Sequence, residues 1–210
     1  MTARLVIAVD GPAAAGKGTL ARRLAEALGL AYLDTGRLYR AVGRLVLDVG
    51  CDPTDPETAT EAARRLRASD LERDDLRDPA ADRAATAVAA VPGVRSALIA
   101  FQREFGGVRG AVLDGRDIGT VIFPEAPVKL FITASLAARA GRRWRELRER
   151  GVEVRLAEVE ADMRQRDQQD AARGAAPLRQ APDALKLDTT DLDLEEVFTE
   201  AMRLVRARLS

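Results

Sequence analysis

Leu5–Thr19 reads LVIAVDGPAAAGKGT, an apolar run that gives way to a glycine-rich turn and then to a lysine. Apolar residues bounded by glycine indicate a short buried strand, and the pattern after Lys17 is helical. A strand, a glycine-rich turn and a helix in succession aim backbone N–H groups and a helix N-terminus into one concavity, where phosphate oxygens bind. The spacing from Gly11 to Lys17 fits G-x-x-x-x-G-K, but the hydroxyl residue that should follow directly is displaced by Gly18 to Thr19. The other reading is a glycine-rich turn with no ligand, but strand, spacing and helix together favour the phosphate loop.

Outward from this stretch, short apolar runs alternate with longer helical patterns, which predicts an α/β fold on a parallel sheet. The expected strands are Leu5–Val9, Ala31–Leu33, Ala111–Leu113, Val128–Ile132 and Ala184–Leu187. Helices are expected over Lys17–Leu28, capped by Gly29, and over Thr35–Val49, Glu57–Arg67, Pro79–Ala90 and Val94–Phe105. Three more are expected over Ser135–Arg150, Val154–Ala172 and Leu194–Leu209. The polar stretch 69–82, SDLERDDLRDPAAD, reads as a loop or a poorly ordered connection.

The bulk composition narrows the chemistry. The chain has 210 residues, 33 basic and 33 acidic, so its net charge of zero argues against holding nucleic acid. It contains no histidine, which excludes Ser-His-Asp and Cys-His catalysis and histidine-bound zinc. The single cysteine, Cys51, forms no intrachain disulfide and suits a reducing cytoplasm, the expected location. No leader peptide or membrane-spanning run is expected. Lys17 is one of only three lysines, so its place in the loop is not background.

Other segments carry chemistry at strand ends. Val112–Pro124, VLDGRDIGTVIFP, puts Asp114 where a parallel strand ends, the side on which such sheets bind ligands. Asp114 is placed to orient magnesium-bound water, or else caps a turn. Gly115 turns the backbone so that Arg116 and Asp117 face the cleft. In Leu33–Arg40, LDTGRLYR, Thr35 and Arg40 could clamp a phosphate, or Arg40 could simply solvate a helix surface. Arg139 and Arg143 share a face of the basic helix; they meet ATP phosphates or belong to a salt-bridged surface. Arg166, Asp170 and Arg173 also share a helix face, as a surface ladder or as part of a charged lid.

The GKGT loop resembles that of nucleoside monophosphate kinases, which implies magnesium held mainly through ATP phosphates and water. DGPAAAGKGT, LDTGRLYR, DGRDIGTVIFP and RDQQDAARGAAPL, in this order, resemble the bacterial cytidylate kinases over nearly the whole chain. The resemblance implies transfer of the γ-phosphoryl of ATP to CMP and dCMP, with magnesium, by a monomer that binds neither nucleic acid nor membrane. It implies ATP binding by Gly11, Pro12, Ala13, Ala14, Ala15, Gly16, Lys17, Gly18 and Thr19, with Arg139 and Arg143. Thr35, Arg40, Arg116 and Arg173 would hold the acceptor phosphate, and Arg166 and Asp170 the sugar. Thr86, Arg95 and Asp117 would read the base. Lys17, Arg116, Arg166 and Arg173 would be catalytic, and Asp114 (through water) and Thr19 would serve the metal.

Asp117 accepts from the cytosine amine and repels the uracil carbonyl, so UMP should be a poor acceptor. The implied fold is one kinase domain, residues 1–210, on a parallel five-stranded sheet. Its core is about 1–40, 94–150 and 184–210, with a monophosphate-binding lobe about 41–93 and a helical lid about 151–183. Three features depart from the family pattern. Gln169 stands where relatives often carry arginine, Thr35 and Thr86 where serine is common, and the segment near 68–82 is shorter than the usual insert. A kinase for another small phosphate acceptor and a non-catalytic nucleotide-binding module are the alternatives.

Overall fold

The computed structural model describes residues 5–174 and 176–209, apart from the side chains at 68 and 109. The chain divides into two compact units, one formed by residues up to Leu33 and from Arg109 onward, the other by Asp34–Val108.

The first unit is built on strands β1 (Val6–Asp10), β2 (Ala31–Asp34, which ends at the unit boundary), β3 (Ala111–Gly115), β4 (Val128–Thr133) and β5 (Leu185–Asp188). They form a five-stranded parallel sheet in the order β2-β3-β1-β4-β5. Every residue of β1 and β3 is buried, as expected of central strands covered on both faces. Each expected strand is present, within a residue or two at its ends. Helix α1 (Lys17–Leu28) lays Leu20, Ala21 and Leu24 into a core with Ile7, Val9, Val112, Leu130 and Ile132. Its C-terminal cap is Gly29, as the sequence indicates.

Beyond Asp34, the longer regular elements among the second unit's described residues are helices: α2 (Thr35–Asp48), α3 (Pro56–Arg65), α4 (Pro79–Val88) and α5 (Pro92–Arg109, whose last residue passes the unit boundary). Asp34 caps α2 by accepting from the Arg37 amide at 3.0 Å, and Asp55 caps α3 from Thr58 at 2.8 Å. Pro56 occupies the first turn of α3, where its missing N–H costs nothing, so that helix starts one residue earlier than expected and ends two earlier. Helices α2 and α4 touch at Gly43, where an added Cβ would lie 2.7 Å from that of Ala84.

The stretch 69–82 corrects its reading as a poorly ordered loop. It holds two 3₁₀ turns, Ala68–Glu72 and Asp74–Arg77, followed by the start of α4. Leu76 is 1% exposed, and Arg73 bridges Asp48 at 2.6 Å and Asp75 at 2.7 Å. One of those partners lies 25 residues upstream, so no local pattern could reveal the anchor.

The remaining helices belong to the first unit: α6 (Leu136–Glu149), α7 (Leu156–Ala172) and α8 (Leu194–Leu209). Ala140 and Leu147 of α6 meet Val159 and Met163 of α7 in a small second cluster, against which Ala13 and Ala14 pack. Val197, Ala201 and Val205 of α8 join the main core. No single helix among the described residues is long and apolar enough to cross a membrane. Only α4 and α5 taken together reach that composition, and they are bent by 99° at their junction.

Candidate active site

The loop between β1 and α1 takes its shape from its glycines. Gly11 has φ +147°, and an added Cβ would collide with the Ile132 carbonyl on β4. Gly16 sits left-handed at φ 88° directly before α1, which carries no side-chain cap and no acid in its first turn. Its leading N–H groups, with the positive end of the helix dipole, suit an anion. Ala14 also lies at positive φ, 57°, a strained conformation for a residue with a Cβ.

Side chains from distant segments brace this loop. Thr189, 1% exposed beyond β5, donates to the Ala15 carbonyl at 3.1 Å and is itself held by Arg142 at 3.0 Å. Arg139 donates to the Ala13 carbonyl at 3.3 Å and grips Asp167 of α7 with both terminal nitrogens, at 3.1 and 2.6 Å. Arg139 is thus tied to the loop, whereas Arg143 pairs with Glu146 of its own helix at 2.8 Å.

Lys17 is 5% exposed and donates to the Pro12 carbonyl at 2.8 Å. Burial pushes its ammonium down to about 7, and the nearby Arg116 and Arg166 charges push the same way against Asp114 and Asp10. Asp114, at the end of β3, accepts from the Tyr32 hydroxyl at 3.0 Å. A Cβ at Gly18 would lie 3.7 Å from Asp114 Oδ2, so it is position 18 that faces this carboxylate. Thr19 is exposed, one step further round the helix.

Arg116 and α7 meet at Asp170, which is 3% exposed. It accepts from Arg116 Nε at 2.9 Å and, with its other oxygen, from Arg173. Burial favours the protonated acid, but Arg116 and Arg173 hold its pKa below the ordinary range. Burial likewise opposes the Arg116 charge, yet Asp170, Asp114 and Asp10 raise its pKa. Arg116, Asp170 and Arg173 are therefore in direct contact, with Arg166 close enough to act on both Lys17 and Asp170.

Asp117, 5% exposed, lies in the first unit directly before the turn Ile118–Ile122, whereas Thr35, Arg40, Thr86 and Arg95 lie in the second. Thr35 begins α2 and is buried. Arg40 pairs with Asp34 at 2.7 Å while its buried Nε has no hydrogen-bond partner among the described residues. Thr86 donates to the Asp82 carbonyl at 3.1 Å, and Arg95, 4% exposed, approaches the Tyr39 hydroxyl at 3.4 Å.

Sequence reasoning passed over Asp10, Asp167, Thr189 and Tyr32. Asp10 alone carried a signal, since it too is a carboxylate at the C-terminal end of a central strand. The partners of the other three lie far away in sequence.

No cluster of three or more metal-binding side chains occurs among the described residues. Asp114 beside an anion-binding loop fits a magnesium ion carried by nucleotide phosphates, and does not fit an all-protein cage.

Residues 7–207 match the family described as cytidylate kinase. A cytidylate kinase of Granulibacter bethesdensis is 61% identical over 98% of both chains. One of Acidiphilium cryptum is 58% identical over 100% of this chain and 99% of its own. Among solved structures, a gluconokinase from Sinorhizobium meliloti shares the fold with a TM-score of 0.52 at 15% identity, covering 100% of this chain and 96% of that one. A glycine-shaped loop braced from α6 and from the residue after β5, a basic cluster on Asp170 and a family match of this extent lead to one conclusion: the chain belongs to the cytidylate kinase family.

Proposed function

We propose that the protein is an ATP-dependent CMP and dCMP kinase, which transfers the γ-phosphoryl group of ATP to the acceptor's phosphate and releases ADP with CDP or dCDP. The observation that carries this reading is the Arg116–Asp170–Arg173 contact acting beside Lys17, in a chain similar to cytidylate kinases over nearly its full length.

Phosphoryl transfer through a loose transition state asks the protein mainly for in-line positioning and positive charge. In this reading the loop amides of Gly11–Thr19 hold the ATP phosphates, and Lys17 follows the moving group. Arg116, Arg166 and Arg173 neutralise the charge that spreads over its oxygens. Arg139 fixes the loop through Ala13 and, with Arg143, serves the ATP side. Magnesium would supply further neutralisation, carried in on ATP, with Asp114 holding one of its waters; Thr19 is the second, weaker candidate.

In the second unit Thr35 and Arg40 take the acceptor phosphate, while Thr86 and Arg95 serve its base. In the first unit Asp117 reads the base amine, Asp170 and Arg166 hold the sugar, and Arg116 and Arg173 bind the acceptor phosphate. Residues about 151–183 act as a lid that excludes water, and about 41–93 as the monophosphate lobe. No general base is needed, because the attacking phosphate oxygen is already anionic at neutral pH.

The test is ADP release with ATP, magnesium and CMP, dCMP, UMP or AMP at subsaturating concentration. CMP and dCMP should turn over with kcat/KM at least about 100-fold above UMP, the penalty for an unpaired buried polar group. Comparable rates with UMP would overturn the base-reading role of Asp117. Turnover of AMP alone would overturn the acceptor assignment.

A further inference from the structure

Asp10 is a buried ion that the mechanism above does not use. It ends β1, opposite Gly115 in the β1–β3 register, and is 5% exposed. Its Oδ1 accepts from the Ile118 amide at 2.8 Å and its Oδ2 from the Gly119 amide at 2.7 Å. Those amides open the wide π turn Ile118–Ile122, which follows directly on Asp117. The Asp117 carbonyl accepts from Val121 at 2.9 Å and Ile122 at 3.2 Å, so the turn closes on Asp117 itself. As at any helical N-terminus, the first amides have no partner within the turn. Asp10 supplies both from 108 residues away in the chain.

The clamp has a second jaw. A Cβ added to Gly119 would lie 3.1 Å from the Lys129 stem and 3.3 Å from Asp10 Oδ2. Lys129 is anchored to the Pro124 carbonyl and, at 2.9 Å, to Asp183. The turn that sets Arg116 and Asp117 is thus held between a carboxylate and a fixed aliphatic stem.

This carboxylate is a poor device for stability. Burial pushes its pKa up to about 6, more than the two amide hydrogen bonds recover, and Asp117 adds repulsion while Lys17 relieves it. A neutral amide would be cheaper to bury, but it offers only one acceptor. Here each of the two successive N–H groups has an oxygen of its own, and an amide would turn an NH₂ donor towards one of them.

We propose that Asp10 is a positioning residue for the phosphate acceptor: by holding the Ile118–Gly119 turn with both oxygens it sets Asp117 and Arg116, and so governs acceptor binding and base discrimination. The proposal rests on the CMP kinase reading.

The experiment is Asp10→Asn in the full chain, with ATP and acceptor varied independently. KM for CMP should rise about tenfold, as for a lost hydrogen bond to a charged group, and the CMP-to-UMP ratio of kcat/KM should fall to a similar degree. KM for ATP should rise clearly less than KM for CMP, because the loop keeps its own braces and Asp10 reaches Lys17 only through its charge. In an Asp117→Asn background, Asp10→Asn should leave the CMP-to-UMP ratio unchanged, since the two act through one turn.

Gly119→Ala strains the same clamp from the other side and should give the same acceptor-selective signature; it carries the test if Asp10→Asn does not fold. Parallel rises in both KM values, or undiminished discrimination in an active variant, would overturn the proposal while leaving the kinase reading intact. A wild-type enzyme that does not phosphorylate CMP would overturn both.

Discussion

Lys17 illustrates how far burial can move a cationic group. Its pKa falls from 10.5 to about 7, chiefly through burial and then through Arg116. In the proposed site, bound triphosphate would add anionic charge beside the ammonium and restore its protonated form. The sign follows directly. With a pKa lowered to about 7, Lys17 should be largely neutral in the free protein at pH 8, and ATP binding should draw a proton from solution. At pH 8, calorimetry in two buffers of different ionisation enthalpy should report uptake approaching one proton per ATP, and Lys17→Met should abolish it. Apparent ATP affinity should weaken as pH rises above 7, because the proton becomes harder to acquire. Proton-neutral binding at pH 8 would show that the lysine is already charged.

Helix α6 carries arginines that look alike in sequence but differ in what they touch. Arg139 and Arg142 are bound to loop and strand-end carbonyls, whereas Arg150 pairs with Glu146 and Arg148 lies over the Trp144 ring, 5.0 Å from its centroid. Helical spacing places Arg139 and Arg143 on one face, but it could not tell that Arg139 meets Asp167 and Ala13 while Arg143 meets Glu146. The glycines of these helices differ in the same way. Gly43→Ala forces α2 and α4 apart at Ala84 and should cost about 1–3 kcal/mol. Gly141→Ala, in α6, meets nothing within 4 Å and should be neutral or stabilising by up to about 1 kcal/mol. Thermal denaturation of the two variants should therefore move in opposite directions or leave only Gly43→Ala lowered. A Gly43→Ala protein as stable as the parent would mean that the α2–α4 contact yields to a methyl group without cost.

The molecule as a whole concentrates its buried charge in the first unit: Asp10, Lys17, Asp114, Asp117, Arg139 and Asp170 are each 8% exposed or less. Of these, Arg139 pairs with Asp167 and Asp170 with Arg116 and Arg173, whereas Asp10 is held by backbone amides and Lys17 by a carbonyl; Arg116 and Arg166 add positive charge beside Lys17. Such a site is suited to receive the further negative charge of nucleotide phosphates. Because no protein cage for a divalent ion exists among the described residues, metal should arrive with the nucleotide. Chelation should abolish turnover, and added magnesium should restore it at once without any slow refolding phase. Its removal should leave the unfolding midpoint of the nucleotide-free protein unchanged. A lowered midpoint would reveal a resident structural ion.

The strand, loop and helix order, all five strands and the glycine-shaped turn between β1 and α1 were legible in the sequence because each depends on neighbours a few residues away. Hydrophobic runs, Gly11 and Gly16, and the acid ending β3 act locally, and the motif spacing carried the family resemblance. The 3₁₀ turns near Arg73, the seat of Thr189 on the Ala15 carbonyl, the Arg139–Asp167 pair and the grip of Asp10 on Ile118 and Gly119 were not legible. Each joins side chains to partners 25 to 174 residues distant, and a hydrogen bond depends on distance and direction that only the folded sheet brings about. The sequence by itself determined which groups are available for phosphate chemistry; the tertiary structure decided which of them are braced, which are paired and what charge each carries.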